Sequence, residues 1–409
     1  MKIQKSTFLA SVGSGLEYYD FTIYALLISY ISHNFFPAED KFVSLISSYL
    51  IFALGYVVRP IGGIIFGILG DKFGRKKILV IVMFYMAITT MLMGVLPTFH
   101  DKIGGIICTV AFVLCRLFQG ILFGAELPCS LTFISEHTGN NYKGLNCAIM
   151  TSFITIGVLF GNVVIFSLTS MFSNQEMMIW GWRIPFFLGG LLALAAYYLR
   201  KNTLETPSYI SRKEKCLSFN YFVFAKGVLS GIGILILPSI LILCYLILPS
   251  IFISVYNCKA SDVFMASFLG YVASIIFVPI FGVLGDRIGR KNIYRIALLL
   301  ILLLSYPAMI YQDIITLWGL IFFMVIYQII ISVMAGSYYP MLAENFPTEV
   351  RYTGVAAAYN ISMLIASFFP VLAAASMRHS HNFSTIYVCV LGLSIIALMA
   401  SCFVKKFEN

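Results

Sequence analysis

The chain has 409 residues, of which 60% are hydrophobic and 11% charged, with a formal net charge of +10. Soluble domains carry about 25% charged residues, so this composition excludes a water-soluble globular protein and predicts an all-α membrane protein that crosses the bilayer many times. The excess of Lys and Arg collects at the ends of apolar runs, so it calls for no nucleic-acid partner.

Met1–Lys5 leads into a long apolar run that carries Glu17 and Asp20 and has no small-residue cleavage site. It reads as a first spanning helix, not a signal peptide. A span needs about 20 apolar residues. By that rule helices are predicted at 7–32, 43–69, 78–97, 103–134, 144–170, 183–199, 227–253, 262–284, 293–311, 314–340, 352–376 and 383–404, twelve in all. Most connections are short. The longest polar one, Arg200–Tyr221, reads as a cytoplasmic linker between an N-terminal six-helix bundle, 1–199, and a C-terminal one, 222–409.

With the N-terminus inside, most cations fall on the inner side, among them Lys72, Arg75, Lys76, Lys77, Lys143, Arg200, Lys201, Arg290, Lys291 and Arg351. Lys41, Lys102, Arg183, Lys259 and Arg378 fall outside, and Arg59 and Arg116 lie within helices. Positive loops stay in the cytoplasm, so both termini are expected there. The nine cysteines form no CxxC pair. Cys108, Cys115, Cys147, Cys244, Cys389 and Cys402 lie in apolar runs and read as small buried hydrophobes. His379 and His381 read as part of a solvated external loop, and no metal or cofactor is expected.

Phe66–Lys77, FGILGDKFGRKK, recurs as Phe281–Asn292, FGVLGDRIGRKN. A second echo follows in the same order: Glu136, Lys143 and Gly144 after the fourth helix, and Glu344, Arg351 and Gly354 after the tenth. Such repeats indicate two similar bundles related by duplication. Gly70 and Gly74 permit a tight turn and close helix approach. Asp71 is expected against the positive N-terminus of the eleventh helix near Tyr352, and Asp286 against that of the fifth near Gly144. Arg75 and Arg290 are expected to pair with Glu136 and Glu344. These six residues read as a gate that holds the cytoplasmic side shut.

A charge at the bilayer centre costs at least about 2.5–3.5 kcal/mol, so the charges within helices are the candidate site. Glu17, Asp20 and Tyr24 share a face of the first helix. Glu17 is roughly 15 Å in at 1.5 Å per residue. Arg59 falls near the same depth, about 18 Å above the turn at Asp71. On the fourth helix Arg116, Gln119, Phe123 and Glu126 form a stripe at helical spacing. Three acids and two guanidiniums thus appear near one depth. Pairing alone leaves one acid over, and a spare acid in a low dielectric can carry a proton. Tyr245 and Asn360 are the candidate liners from the second half.

Five stretches carry a family resemblance: GSGLEYYDFTIY (Gly13–Tyr24), YVVRPIGGIIFGILGD (Tyr56–Asp71), RLFQGILFGAELP (Arg116–Pro128), GWRIPFFLGG (Gly181–Gly190) with LETP (Leu204–Pro207), and AENFPTEVRYTG (Ala343–Gly354) with YNIS (Tyr359–Ser362). The chain resembles the metabolite–proton symporter branch of the major facilitator superfamily, which includes proline/betaine, α-ketoglutarate and shikimate carriers. The resemblance implies a twelve-helix carrier, monomeric in the bilayer of a bacterial inner (plasma) membrane. It implies alternating access and proton-coupled uptake of a small carboxylate or zwitterion. Tyr18 stands where the branch commonly has Trp, a stronger cation–π partner. No long coil follows Lys405–Asn409, so osmotic activation through one is not expected.

The expected roles follow. Arg59 holds the substrate carboxylate, with Tyr18, Tyr24, Gln119, Tyr245 and Asn360 around it. Glu126, or one of Glu17 and Asp20, takes the proton, and Arg116 tunes that acid. A dicarboxylate is the alternative substrate. Drug or metabolite efflux is disfavoured because the fifth helix has Gly157 and Gly161 but no proline. No catalytic motif of a hydrolase, metalloprotease or P-loop enzyme is present, so an enzyme is not expected.

Overall fold

The computed structural model describes residues 5–36, 51, 54–99, 105–139, 142–212, 221–254, 258–310, 316–380 and 384–404. Among them are twelve long helices. The first half holds α1 (Lys5–Leu26), α2 (Arg59–Phe73), α3 (Arg75–Val95), α4 (Gly105–His137), α5 (Lys143–Met171) and α6 (Arg183–Lys201). The second holds α7 (Tyr221–Ser254), α8 (Ala260–Ile288), α9 (Arg290–Ile310), α10 (Leu317–Glu344), α11 (Arg351–Ser380) and α12 (Ser384–Phe403). After a break at Leu27, α1 continues as Ile28–Phe35, and a short helix, Pro207–Arg212, follows α6. The start of the second predicted run, His381 and part of the linker lie outside the described residues.

The described chain is helix joined by turns because a backbone in lipid must satisfy its own polar groups. Eight described helices are long and apolar enough to cross a membrane. A ninth joins them if Asn174–Gly181 and α6, bent by 48°, form one span. The sharp turns α2–α3 and α8–α9 pivot on Gly74 (φ 104°) and Gly289 (φ 102°). Only glycine takes that backbone without strain.

Helix pairing repeats between the halves. In the first, α1 packs on α4, α5 and α6, α2 on α4, and α3 on α4 and α6. In the second, α7 packs on α10, α11 and α12, α8 on α10, and α9 on α10 and α12. Each of these contacts in the first bundle has its counterpart six helices on. The bundles meet through α2 with α11 and α5 with α8, a pair the same exchange interconverts. Large apolar side chains such as Ile107, Phe166, Leu303 and Phe322 are exposed, as a lipid-facing surface requires. Cys389 and Cys402 join that surface instead of the interior, and Cys115 and Cys244 are half-buried. The apolar runs that hold them have outward faces as well as inward ones.

Candidate functional site

None of the five intramembrane charges faces outward: Glu17, Asp20, Arg59, Arg116 and Glu126 are each 1–4% exposed. By their hydrogen bonds and ring contacts they divide into two polar layers and an aromatic box.

The layer nearer the basic turns is built on Glu126 of α4. Its Oε1 accepts from Arg200 NH2 at 2.5 Å, from Ser130 Oγ at 2.9 Å and from Ser14 Oγ at 3.0 Å. Ser130 lies one helical turn from Glu126. The same Arg200 nitrogen also reaches Ala10 O at 3.1 Å and the hydroxyls of Ser14 and Ser130 at 3.2 and 3.0 Å. The Glu17 carboxyl lies beside that of Glu126. Neither Glu17 oxygen receives a hydrogen bond. Arg116 was expected to tune whichever of Glu126, Glu17 and Asp20 takes the proton, and Arg200 was read as a cytoplasmic charge. Arg200 is in fact 1% exposed. It lies in the last turn of α6, which runs past the predicted limit at 199, and Gly13 makes its room: a Cβ there would meet the guanidinium carbon at 2.8 Å.

In the outer layer Asp20 Oδ2 accepts from Thr90 Oγ1 at 2.7 Å and Gln119 Nε2 at 3.1 Å. Gln119 accepts in turn from Arg116 NH1 at 3.3 Å. The Arg116 guanidinium stacks 4.1 Å over the ring of Tyr24. Gln119 and Glu126 share a face of α4, as their spacing predicts, but serve different layers, because a helical face says nothing of depth.

Arg59 sits in an aromatic box, its guanidinium carbon 4.0 Å from the ring centre of Tyr56, 4.2 Å from Phe123 and 4.6 Å from Phe21. No carboxylate among the described residues lies within ion-pairing distance of it. Desolvated cation–π contacts, worth about 2 kcal/mol or more, hold the charge in place without neutralising it. Tyr18 lies beside the box, ring to ring with Phe123 at 5.1 Å, and its hydroxyl meets that of Tyr359 on α11 at 3.1 Å. Asn360 does not enter the box. Its amide donates to Gly124 O at 2.7 Å and ties α11 to α4. Tyr245 also stays apart, donating to Ser267 O at 3.1 Å among Tyr271 and Tyr327 of the second bundle.

The basic turns form two matched latches. Asp71 Oδ1 accepts from Tyr352 N at 3.2 Å, and Oδ2 from Thr353 N at 2.9 Å and Thr353 Oγ1 at 2.7 Å. In the second copy Asp286 accepts from Gly144 N at 2.9 Å and Leu145 N at 3.0 Å. Each carboxylate therefore caps the N-terminus of a helix in the opposite bundle. Arg75 pairs with Asp71 at 3.0 Å and Glu136 at 3.1 Å, and donates to Thr348 O at 2.6 Å. Arg290 pairs with Asp286 at 2.7 Å and with Glu344.

Sequence reasoning missed four members of these latches. Arg351 reaches Glu136 at 3.4 Å, and Lys143 reaches Glu344 at 3.9 Å, so each pair also spans the interface. Both had been read as loop charges. Glu205 of the LETP motif accepts from the amides of Arg75 and Lys76 at 3.2 Å and so caps α3. Thr206 donates to Glu136 at 2.7 Å. An acid preceding a Thr-Pro pair beside a basic turn was the available signal.

A sequence profile of the Major Facilitator Superfamily matches residues 10–370 and 245–406. The glycine betaine/proline/ectoine/pipecolic acid transporter OusA of Dickeya dadantii is 29% identical over 427 residues, covering 100% of this chain and 84% of its own. The proline/betaine transporter of Escherichia coli K12 is 28% identical with the same coverage. The citrate-proton symporter of Klebsiella pneumoniae is 27% identical, covering 96% of this chain and 90% of its own. Among solved structures the proton:xylose symporter XylE aligns at TM-score 0.81 and 16% identity, over 98% of this chain and 96% of that one. With the profile spanning nearly the whole length and the same twelve-helix fold in the structure, the chain belongs to the Major Facilitator Superfamily, and its relatives include proline/betaine transporters and a citrate-proton symporter.

Proposed function

We propose that this protein is a secondary active transporter that takes up a small carboxylate or zwitterionic metabolite, proline- or betaine-like, together with protons. The names of its relatives support that substrate class. The observation that carries it is Arg59: a buried guanidinium against three aromatic rings, with no carboxylate among the described residues within ion-pairing distance. An incoming carboxylate supplies the missing charge and a bidentate hydrogen bond. The rings around it, with Tyr18, offer faces to a substrate ammonium.

Glu17 is the proton carrier in this reading. Burying an ionised carboxylate without donors is costly, and a proton taken from the outer side removes that cost. Asp20 and Arg116, which neutralise each other through Gln119, hold α1, α3 and α4 together and set the field at the box. Residues 1–199 and 222–409 then rock as two units about the linker at 200–221, and the Asp71 and Asp286 latches must part at each cycle. The basic face with both termini lies in the cytoplasm of a bacterial cell, by the distribution of Lys and Arg, and the carrier works as a monomer in the lipid bilayer.

A dicarboxylate is the second reading. Arg116 lies 5.5 Å from the ring of Phe21, on which Arg59 also rests, so two guanidiniums stand near one site. Uptake of labelled glycine betaine, proline and α-ketoglutarate into proteoliposomes under an inward proton gradient tests both. Accumulation of a zwitterion supports the first, accumulation of α-ketoglutarate alone the second, and no accumulation of any of them refutes the proposal.

A further inference from the structure

Arg200 joins two parts of the molecule that the transport cycle must connect. Its guanidinium occupies the Glu17–Glu126 layer, and five residues later the same strand of chain caps the latch. The connection is short and bonded at Thr203, Glu205 and Thr206. Thr203 donates from both its amide and its hydroxyl to Arg200 O, at 3.1 and 2.7 Å. Glu205 then accepts from the first amides of α3, and Thr206 donates to Glu136, the acid that Arg75 and Arg351 share.

We propose that Arg200 is the positioning residue that transmits proton occupancy of the Glu17–Glu126 pair to the latch on the basic face, through residues 200–206. The inference rests on the proton-coupled reading above. With the pair deprotonated, Glu126 pins Arg200 and the segment keeps Glu205 and Thr206 in place. When Glu17 takes the proton, the charge of the pair falls from two negatives to one and the new hydroxyl can donate to Glu126 in competition with Arg200, so the hold on the guanidinium weakens. The guanidinium has two nitrogens, Nε and NH1, that lack partners where it now sits, so release lets them reach water. The segment then loosens and α3 loses its cap. The other titratable groups facing the pair are Asp20 on α1, Tyr18 beside the box and Tyr352 and Tyr359 on α11, and Cys129 on α4 faces Arg200. None of these is a second cation, so Arg200 alone answers the pair's charge among the described residues around it.

Hydrogen–deuterium exchange of the full-length protein in detergent, corrected for intrinsic rates, tests this at the amides of Arg75 and Lys76. In the wild type their protection should fall by about tenfold or more between pH 8 and pH 5. Glu126→Gln should remove the protection at both pH values, and Glu205→Gln should do the same while the Glu17–Glu126 pair stays intact. Gly13→Ala changes no charge but drives a Cβ into the guanidinium, so it should lower protection at pH 8. A merely structural role for α1 predicts no such effect, since Ala favours helix. Unchanged protection across pH in the wild type overturns the inference, as does wild-type pH dependence in Gly13→Ala. Proteoliposome uptake is measured beside it. Proton-driven uptake with pH-independent exchange refutes the relay alone, and pH-dependent exchange without uptake of any solute refutes the transport reading.

Discussion

Asp71 accepts two hydrogen bonds from one residue of the opposite bundle, Thr353, from its amide at 2.9 Å and its hydroxyl at 2.7 Å. The contact is buried, Asp71 being 7% exposed. It joins the C-terminal end of α2 to the first turn of α11, and Asp286 repeats it on α5. A charged acceptor at a helix N-terminus is favoured by the amides and the helix dipole together.

Asp71→Asn removes the charge and sets an amide NH2 against backbone donors. Hydrogen bonds to charged groups are worth about 1.5–3 kcal/mol, so the closed basic face should lose population by roughly tenfold or more. Alkylation of Cys129, which is buried and donates to Arg75 O at 3.4 Å, reports the change. Asp71→Asn should raise its rate, and Asp286→Asn should act in the same direction. Rates equal to wild type in both would show that these turns do not hold the face shut.

Arg59→Lys keeps the charge but loses the planar fork and most of the stacking against Tyr56, Phe123 and Phe21. At about 1–3 kcal/mol lost, uptake should fall roughly tenfold to a hundredfold. Uptake is normalised to folded protein, since losing ring contacts worth about 2 kcal/mol also lowers the thermal midpoint. Normal uptake by this variant would remove Arg59 from the substrate site.

Glu17→Gln imitates the protonated acid, so it separates binding from coupling. Exchange of labelled substrate across the membrane without a gradient should persist. Accumulation against a concentration gradient should disappear, because the variant returns without having carried a proton. The same logic sets the pH dependence. Wild-type uptake should rise as the outer pH falls, since more carriers are protonated there, and Glu17→Gln should lose that slope. A variant that still accumulates substrate with the wild-type pH profile would assign the proton elsewhere.

Gly74→Ala places a Cβ at φ 104°, a backbone that costs about 1 kcal/mol or more outside glycine, and directs it at the Glu205 carboxylate. The cap on α3 should be lost with it. Gly289→Ala carries the same backbone strain but meets no such carboxylate, its nearest neighbour being Asn292 at 3.5 Å. The Gly74 variant should therefore have the lower thermal midpoint of the two. The reverse order would argue that Glu205 contributes little to the latch.

The two latches were legible because the turn is written twice and each copy carries its own acid and base in helical register. Asp71 with Tyr352 and Asp286 with Gly144 follow from one rule, that a carboxylate seeks a helix N-terminus, applied to a duplicated fold. The burial of Glu17, Asp20, Arg59, Arg116 and Glu126 was equally legible, because a charge in an apolar run has to face inward. Arg200 was not. At the end of α6 beside Lys201 it has the signature of an orienting loop charge, and nothing local to it reveals that Gly13, far away in sequence, leaves a hole for its guanidinium. The division into two layers was hidden for a related reason. Spacing fixes the face on which Gln119 and Glu126 lie but not whether Asp20 or Ser14 stands opposite. Tyr245 and Asn360 were chosen as polar residues on long helices, and each instead spends its polarity on a backbone carbonyl nearby.

Proton entry driven by substrate is the measurement that reaches furthest. Protein in liposomes carrying a pH-sensitive dye is given an outward excess of glycine betaine, with no other gradient and with membrane potential clamped. The lumen should acidify, and it should fail to do so in Glu17→Gln while betaine still enters. Betaine entry without acidification in the wild type would contradict coupling through the buried acids of the first bundle.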